Sequence, residues 1–340
     1  MKPREAQSLV HQIERAMVDG LSRPGPARIL VAVSGGPDSG AALYALADRA
    51  AQHDWALEAV HVDHGLADRE TRESFAQAVD RLAGRLGVDV HHAQVDVRQR
   101  SRERGESVET AARGARYEEI AALARRLGVN AVVTGHTIDD QAETVLLHLL
   151  RGSGLDGLAG MRVRGSFPLR EAASCPPLLR PLLEIRREET RAFCALRGID
   201  VVQDPSNDNL AFTRNRIRSQ LLPALRRFNP AITRALADLA SDVGRDRDLL
   251  AELSVQGLEA TIERREPGAI ELSRKSVVSL PDAIAIRVLR LAVERVGGEP
   301  PSHERSLAIW RLAQRGGHRV ELGGAVCAES RGDLLRIWSG

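Results

Sequence analysis

Along residues 28–135, short β-branched runs alternate with longer stretches whose apolar residues recur every three or four positions. "RILVAVS" (28–34), "LEAVHVDHG" (57–65), "VDVHHAQVDV" (88–97) and "VNAVVTGH" (129–136) have the length and composition of strands. Between them, 39–52, 68–86 and 107–128 carry the helical period. Strand–helix repeats of this length predict an α/β domain, a parallel sheet with helices on both faces.

Beyond this region the pattern changes. Gly152 to Pro181 is rich in Gly and Pro and reads as irregular structure. A short αβ unit follows, with "EIRREETRAFCALRG" as helix and "IDVVQD" as strand, then a turn cluster, "DPSNDN" (204–209). The pattern is helical from Phe212 to about Arg265 and again over 281–297. The tail "HRVELGGAVCAESRGDLLRIWSG" alternates and predicts a small β piece. The expected boundary lies near 215–225, dividing a first domain, 1–222, from a mostly helical C-terminal domain, 223–340.

Composition narrows the class. A hydrophobic content of 43% and a charged content of 28% fit a soluble globular protein. No apolar stretch approaches a membrane span, and "MKPREAQSLVHQIERAMVDG" lacks the apolar core of a secretory signal, so a cytoplasmic protein without membrane contact is expected. Cys175, Cys194 and Cys327 stand far apart with no C-x-x-C pair, which argues against a zinc ribbon, a redox pair or a disulfide framework. Net charge is only +2, but Lys2 and Lys275 are the only lysines among 48 basic residues. The arginine bias suits phosphate and base recognition. A compositional bias of the source genome would produce it equally well.

The first candidate chemistry lies in "VAVSGGPDSGAALYALA" (31–47). Gly35 and Gly36 are free to take positive φ, so successive backbone N–H groups can converge on one point. The helix starting near Asp38 adds its positive end. Ser34 and Ser39 hydroxyls can add hydrogen bonds. The result is an anion cradle at the carboxyl edge of the first strand. It is neither G-x-x-x-x-G-K-[ST] nor G-x-G-x-x-G, so a Walker-type γ-phosphate transfer is disfavoured. Asp38 beside an anion has two readings: a helix cap, or a holder of Mg²⁺ bridging to phosphates. The flanking serines and glycines favour the second.

The second candidate is "TGHTIDDQAETVLLHLLRGSGLDGL" (134–158). His136 closes the fourth strand, and Asp139, Asp140 and Glu143 open the next helix, where their spacing lets them share a face. Capping by Thr137 with Asp140 three residues on explains one or two of these acids. Three acids and a histidine beside an anion cradle exceed that need. Asp140 and Glu143 are therefore candidates for gripping an amine substrate as its ammonium. His136 is a candidate for taking its proton or touching phosphate.

S-G-G-x-D-S after a first strand resembles the PP-loop of the N-type ATP pyrophosphatases. The order of "HVDHGL" (61–66), "ETAARGARY" (109–117), "GHTIDDQAETVLLHLLRGSGLDGL", "LLRPLL" (178–183) and "DPSNDNLAFTRNRIR" (204–218) is similar to the tRNA(Ile)-lysidine synthetase family over roughly residues 28 to 222. The resemblance implies cleavage of ATP between its α and β phosphates. It also implies an O2-adenylated wobble cytidine in the CAU anticodon of tRNA(Ile), and displacement of AMP at C2 by free L-lysine. It places ATP on Ser34, Gly35, Gly36, Pro37, Asp38 and Ser39, and lysine on Asp140 and Glu143. Together with the residue reading above, in which Asp38 holds Mg²⁺, the expected catalytic residues are Asp38, His136 and Asp140. Gly114 departs from the family pattern inside a predicted helix, at a cost of about 1 kcal/mol relative to Ala.

No acid separates Asp208 from Asp238, while Arg214, Arg216, Arg218, Arg226, Arg227 and Arg234 fall between them. Gly157 to Arg170 is likewise acid-free and holds Arg162, Arg164 and Arg170. "RQRSRERG" (98–105) reads as a mobile loop. Arg113 and Arg151, inside matched motifs, and Arg214, Arg216 and Arg218 are the expected tRNA contacts. Aromatic content of 3% argues against a stacking platform, so grip on the tRNA body is assigned to 223–340. The sequence leaves a homodimer open. Competing readings are a tRNA thiolase, for which paired cysteines near the loop are missing, a small-molecule synthetase, and a non-enzymatic nucleotide-binding module.

Overall fold

The computed structural model describes all residues except 23–24, 170–171, 203–208 and 318. Arg170, residues 204–208 of the turn cluster, and the first residue of the alternating tail thus lie outside the described residues. The chain divides into two compact units, Met1–Asp242 and Val243–Gly340.

The first unit is built on strands β1 (Ala27–Ala32), β2 (Trp55–Asp63), β3 (Asp89–Gln94), β4 (Ala131–Thr134), β5 (Arg164–Gly165) and β6 (Leu178–Leu179). Their order is β3-β2-β1-β4-β6-β5, parallel except for β5, which runs antiparallel to β6. The connecting helices are α1 (Pro3–Leu21), α2 (Pro37–His53), α3 (Arg69–Leu86), α4 (Val97–Arg104), α5 (Val108–Leu127), α6 (Ile138–Leu150), α7 (Leu155–Leu158) and α8 (Arg187–Arg197). The two faces follow from strand alternation. Ile29 and Val31 point to one side, against Ile13, Leu43, Leu46 and Phe193 from α1, α2 and α8. Leu30 points to the other, with Val60 and Val132, against Tyr117, Ile120 and Leu123 of α5. Each fully buried aliphatic chain contributes roughly 1.5–3 kcal/mol. A third cluster joins Val145 and Leu146 of α6 to Ile217, Leu222 and Leu236 of the later helical segments.

Three local expectations need correction. Residues 98–105 are not a loop: α4 forms there, with the Asp96 carboxylate accepting from Gln99 N at 2.8 Å and Gly105 closing it in the left-handed region. "IDVVQD" does not join the sheet within its described part, 199–202. Instead Val202 N donates to Gly35 O at 3.0 Å. Helix does not continue to Arg265, because the long helix Ile232–Thr261 ends and β7 (Ile262–Glu266) begins.

Within the second unit, β7, β8 (Ala269–Ser273), β9 (Val320–Gly323), β10 (Val326–Arg331) and β11 (Leu334–Ser339) form an antiparallel sheet ordered β7-β8-β11-β10-β9. Helices Asp282–Arg295 and His303–Arg315 pack on it through Val288, Leu289, Ile309 and Leu312. The β part is thus larger than the tail alone.

Candidate active site

The turn after β1 is held open by its own side chains. Ser39 Oγ donates to Gly36 O at 3.1 Å, accepts from Ser34 N at 3.1 Å and lies 3.1 Å from Ser34 Oγ. Of the two glycines, only Gly35 uses positive φ, at 82°. A Cβ there would stand 2.9 Å from the Phe75 ring. Gly36 is extended and N-caps α2, whose first-turn amides on Asp38 and Ser39 have no acceptor within the helix. Backbone donors and a helix start therefore face the carboxyl edge of the sheet together, as an anion site requires.

The acids of α6 lie beside this turn. Thr137 and Asp140 do form the capping box: Asp140 Oδ2 accepts from Thr137 N at 2.9 Å and from Thr137 Oγ1 at 2.7 Å. That occupies one oxygen only. Asp140 Oδ1 faces Arg187 Nη2 at 3.0 Å and Arg214 Nη2 at 3.2 Å. Glu143, with no exposed surface, meets Arg187 Nη1 at 3.3 Å, Arg214 Nε at 2.8 Å, and Arg218 through Nε at 2.7 Å and Nη2 at 3.1 Å. Asp139 accepts from the Arg187 backbone N at 2.9 Å, capping α8, and from Arg226 Nη2 at 3.3 Å.

Arg187 ties the two halves together, since its Nε reaches Asp38 Oδ2 at 3.4 Å. Thr190 Oγ1 donates to the other Asp38 oxygen. Four carboxylates (Asp38, Asp139, Asp140, Glu143) thus meet four guanidinia (Arg187, Arg214, Arg218, Arg226). Burial opposes ionisation of Asp140, but Arg187, Arg214 and the Thr137 amide outweigh it and hold its pKa well below the usual carboxylate range. Glu143 is lowered in the same way, with Arg218 the leading opponent of burial. At Asp38 burial wins: its pKa is raised despite Thr190 and Arg187. Burial also opposes the Arg187 charge, but the surrounding acids reverse this and raise its pKa.

His136 Nδ1 lies 2.8 Å from Thr134 Oγ1. Burial first, then the charges of Arg180, Arg116 and Arg214, push its pKa well below the ordinary value, against the pull of Asp140. The imidazole is neutral near pH 7. It carries no proton to give up first, though burial makes it a weak base, and it is unsuited to serving as a cationic phosphate contact.

The expected tRNA arginines separate. Arg214 and Arg218 turn inward onto Glu143. Arg151 is exposed at the C-cap of α6, and Arg216, also exposed, donates to Thr213 Oγ1 at 3.0 Å. Arg113 lies half-buried against Tyr117. As a Mg²⁺ holder Asp38 fits poorly, because each of its oxygens already accepts from Thr190 or Arg187 and a second cation there would face the Arg187 charge.

Sequence reading missed Arg187, Thr190 and Gly135. The first two lie on a different helix, 149 and 152 residues from Asp38. Gly135 lies between β4 and His136, and a Cβ on it would stand 2.7 Å from Ser39 N. Only the glycines flanking the first strand carried a local signal.

A family description of the PP-loop domain matches residues 6–225. A tRNA(Ile)-lysidine synthase of Leifsonia xyli subsp. xyli is 35% identical over 299 residues, 86% of this chain and 85% of that protein. The one from Salinispora tropica is 40% identical over 290 residues, 85% of this chain and 81% of that protein. The one from Symbiobacterium thermophilum is 39% identical over 285 residues, 82% of this chain; the match spans only 57% of that longer protein. Among solved structures, the U34-tRNA thiolase NcsA from Methanococcus maripaludis, with its [4Fe-4S] cluster, aligns with a TM-score of 0.57 at 15% identity, over 70% of this chain and 80% of that one. This likeness is one of fold. In the first unit Cys194 packs in the α2-side core and Cys175 against the α5-side core.

Proposed function

The chain belongs to the tRNA(Ile)-lysidine synthase family of PP-loop proteins, and on that premise we propose that it joins free L-lysine to the wobble cytidine of a tRNA(Ile) with a CAU anticodon. Cytidine O2 attacks the α-phosphorus of ATP, and the bond to the β-phosphate bridge breaks, releasing pyrophosphate. The lysine ε-amine, as free base, then attacks C2. The C2–O2 bond breaks, AMP departs with that oxygen, and the amine proton passes to His136.

The turn Ser34 to Ser39 is assigned to ATP, with its backbone N–H groups and the α2 start directed at the leaving pyrophosphate. Asp140 and Glu143 are assigned to the lysine ammonium. The observation that carries this reading is one guanidinium, Arg187, in reach of Asp38, Asp140 and Glu143 at once. That reach supports an amine pocket against the ATP turn, as a reaction between two such substrates needs. Because acids and arginines balance there, an added ammonium must displace a guanidinium or be offset by the negative charge of bound ATP.

His136 is neutral and therefore free to take the amine proton, provided Nδ1–H donates to Thr134 and leaves Nε2 open. Mg²⁺ would supply charge neutralisation on the triphosphate. Residues 1–222 act as the catalytic domain and 223–340 as the tRNA-gripping one, with one copy of the chain supplying every group named. Among the described residues no helix is long and apolar enough to cross a membrane.

The test is pyrophosphate release from purified protein and unmodified tRNA(Ile), with each amino acid in turn. Release that requires both lysine and the tRNA is expected. Conversion of ATP to ADP, or turnover indifferent to lysine, overturns the reading.

A further inference from the structure

Three guanidinia gather around Tyr117 with no acid among them. Arg113 and Arg116 of α5 hold their guanidinium carbons 5.1 and 5.2 Å from the ring centre. Arg180 follows β6, and its charge bears on the phenol together with theirs. The ring itself is 1% exposed and sits edge-on to Phe167 at 6.0 Å. None of the three arginines has an ion-pair partner among the described residues.

Arg180 is the most telling member. It is 6% exposed; its Nη1 donates to Arg162 O at 3.0 Å, yet its buried Nε has no acceptor. The buried Tyr117 hydroxyl beside it is met by Arg180 itself, outside good hydrogen-bond geometry, and is a neutral group where the charge calls for an anion. Burial lowers the pKa of Arg113 and of Arg180. The contrast with the neighbouring cluster is sharp, since Arg187, Arg214 and Arg218 each face carboxylates. Desolvated like charges with an orphaned donor are costly, and packing alone would be better served by apolar side chains. What such a group lacks is an anion. Guanidinium forks match phosphate oxygens best.

The sheet order separates this group from the ATP turn. The ATP turn follows β1, His136 follows β4, and Arg180 follows β6, in that spatial order. Arg180 thus starts two strands from the turn, about 10 Å at the usual strand spacing. The turn has its own donors for nucleotide phosphates. We infer that Arg113, Arg116 and Arg180 form a binding site for a backbone phosphodiester of the RNA substrate, on the side of His136 away from the ATP turn. This rests on the function proposed above.

The test compares wild type with R113Q, R116Q and R180Q. Affinity for an anticodon stem-loop RNA is measured by fluorescence anisotropy across a salt series, and ATP affinity separately by calorimetry without RNA. Each variant is expected to weaken RNA binding about tenfold or more and to reduce the salt slope by about one, with ATP affinity within about twofold of wild type. Arg180 is nearly buried; should R180Q not fold, R180K keeps the charge and removes the fork, and R113Q and R116Q carry the test. Unchanged RNA affinity and slope in R113Q and R116Q overturn the site, as does an equal loss of ATP affinity, which would assign it to the nucleotide. A wild type that binds no RNA overturns the function itself, an outcome distinct from variants that bind as wild type does.

Discussion

Gly135 lies against Ser39 so closely that a Cβ on Gly135 would stand 2.7 Å from the Ser39 backbone nitrogen and 2.9 Å from Asp38 C. Both neighbours are main chain and cannot swing aside. Gly135→Ala is therefore expected to push the α2 start out of place and weaken ATP binding by about tenfold or more, while the circular dichroism spectrum stays native. ATP affinity by calorimetry is the check, and wild-type affinity would show the turn to be more yielding than this contact implies.

Glu143 is fully buried and holds Arg218 by two bonds. Glu143→Gln leaves Arg187, Arg214 and Arg218 short of one negative charge in a desolvated place. A loss of about 3–5 kcal/mol is expected, read as a lower urea midpoint. A double variant that also removes Arg218 should recover part of it.

The balance of four acids and four arginines predicts coupling between substrates. Lysine should bind more tightly when a non-hydrolysable ATP analogue is present, by roughly 5–150-fold. Calorimetric titration of lysine with and without the analogue measures this. Equal affinities would mean that triphosphate charge does not compensate the amine.

Acid should expose His136. Its folded-state pKa lies well below the unfolded value of about 6.5, so below that pH the unfolded chain binds a proton that the folded chain refuses. Stability is then lost as pH falls from about 6.5 towards the folded pKa. Asp140 and Glu143, both lowered in the fold, add stability that is full above their unfolded values near about 4 and lost below them. Urea midpoints between pH 7 and 5 should decline, and His136→Asn should flatten that decline.

Much of this was legible in local sequence. The β1 strand, its glycine turn and α2 need only neighbouring residues, and the acids at the α6 start follow from helical spacing. What escaped is tertiary. The capping box explained Asp140 correctly but only for one of its oxygens; the other answers to arginines 47 and 74 residues away. β7 was obscured because "IERRE" has helical composition, and its pairing with β8, itself held by β11, decides its state. Caps at Asp96 and Gly105 outweighed the poor amphipathicity that hid α4. Gly114, awkward for a helix, faces the Arg100 guanidinium, which pairs with Glu118 but is the movable end of a long side chain and does not by itself require glycine.

The bond from Val202 N to Gly35 O is made by main chain at both ends. No point substitution other than proline at position 202 deletes it, so side-chain drift leaves the clasp on the nucleotide turn untouched. Chain length is another matter. Arg214 lies twelve residues beyond Val202, and an insertion or deletion between them would shift the guanidinium's anchor relative to the clasp. Length variation should accordingly be tolerated after Gly152, in the irregular stretch, and be penalised between Val202 and Arg214, however permissive the residues there are to exchange.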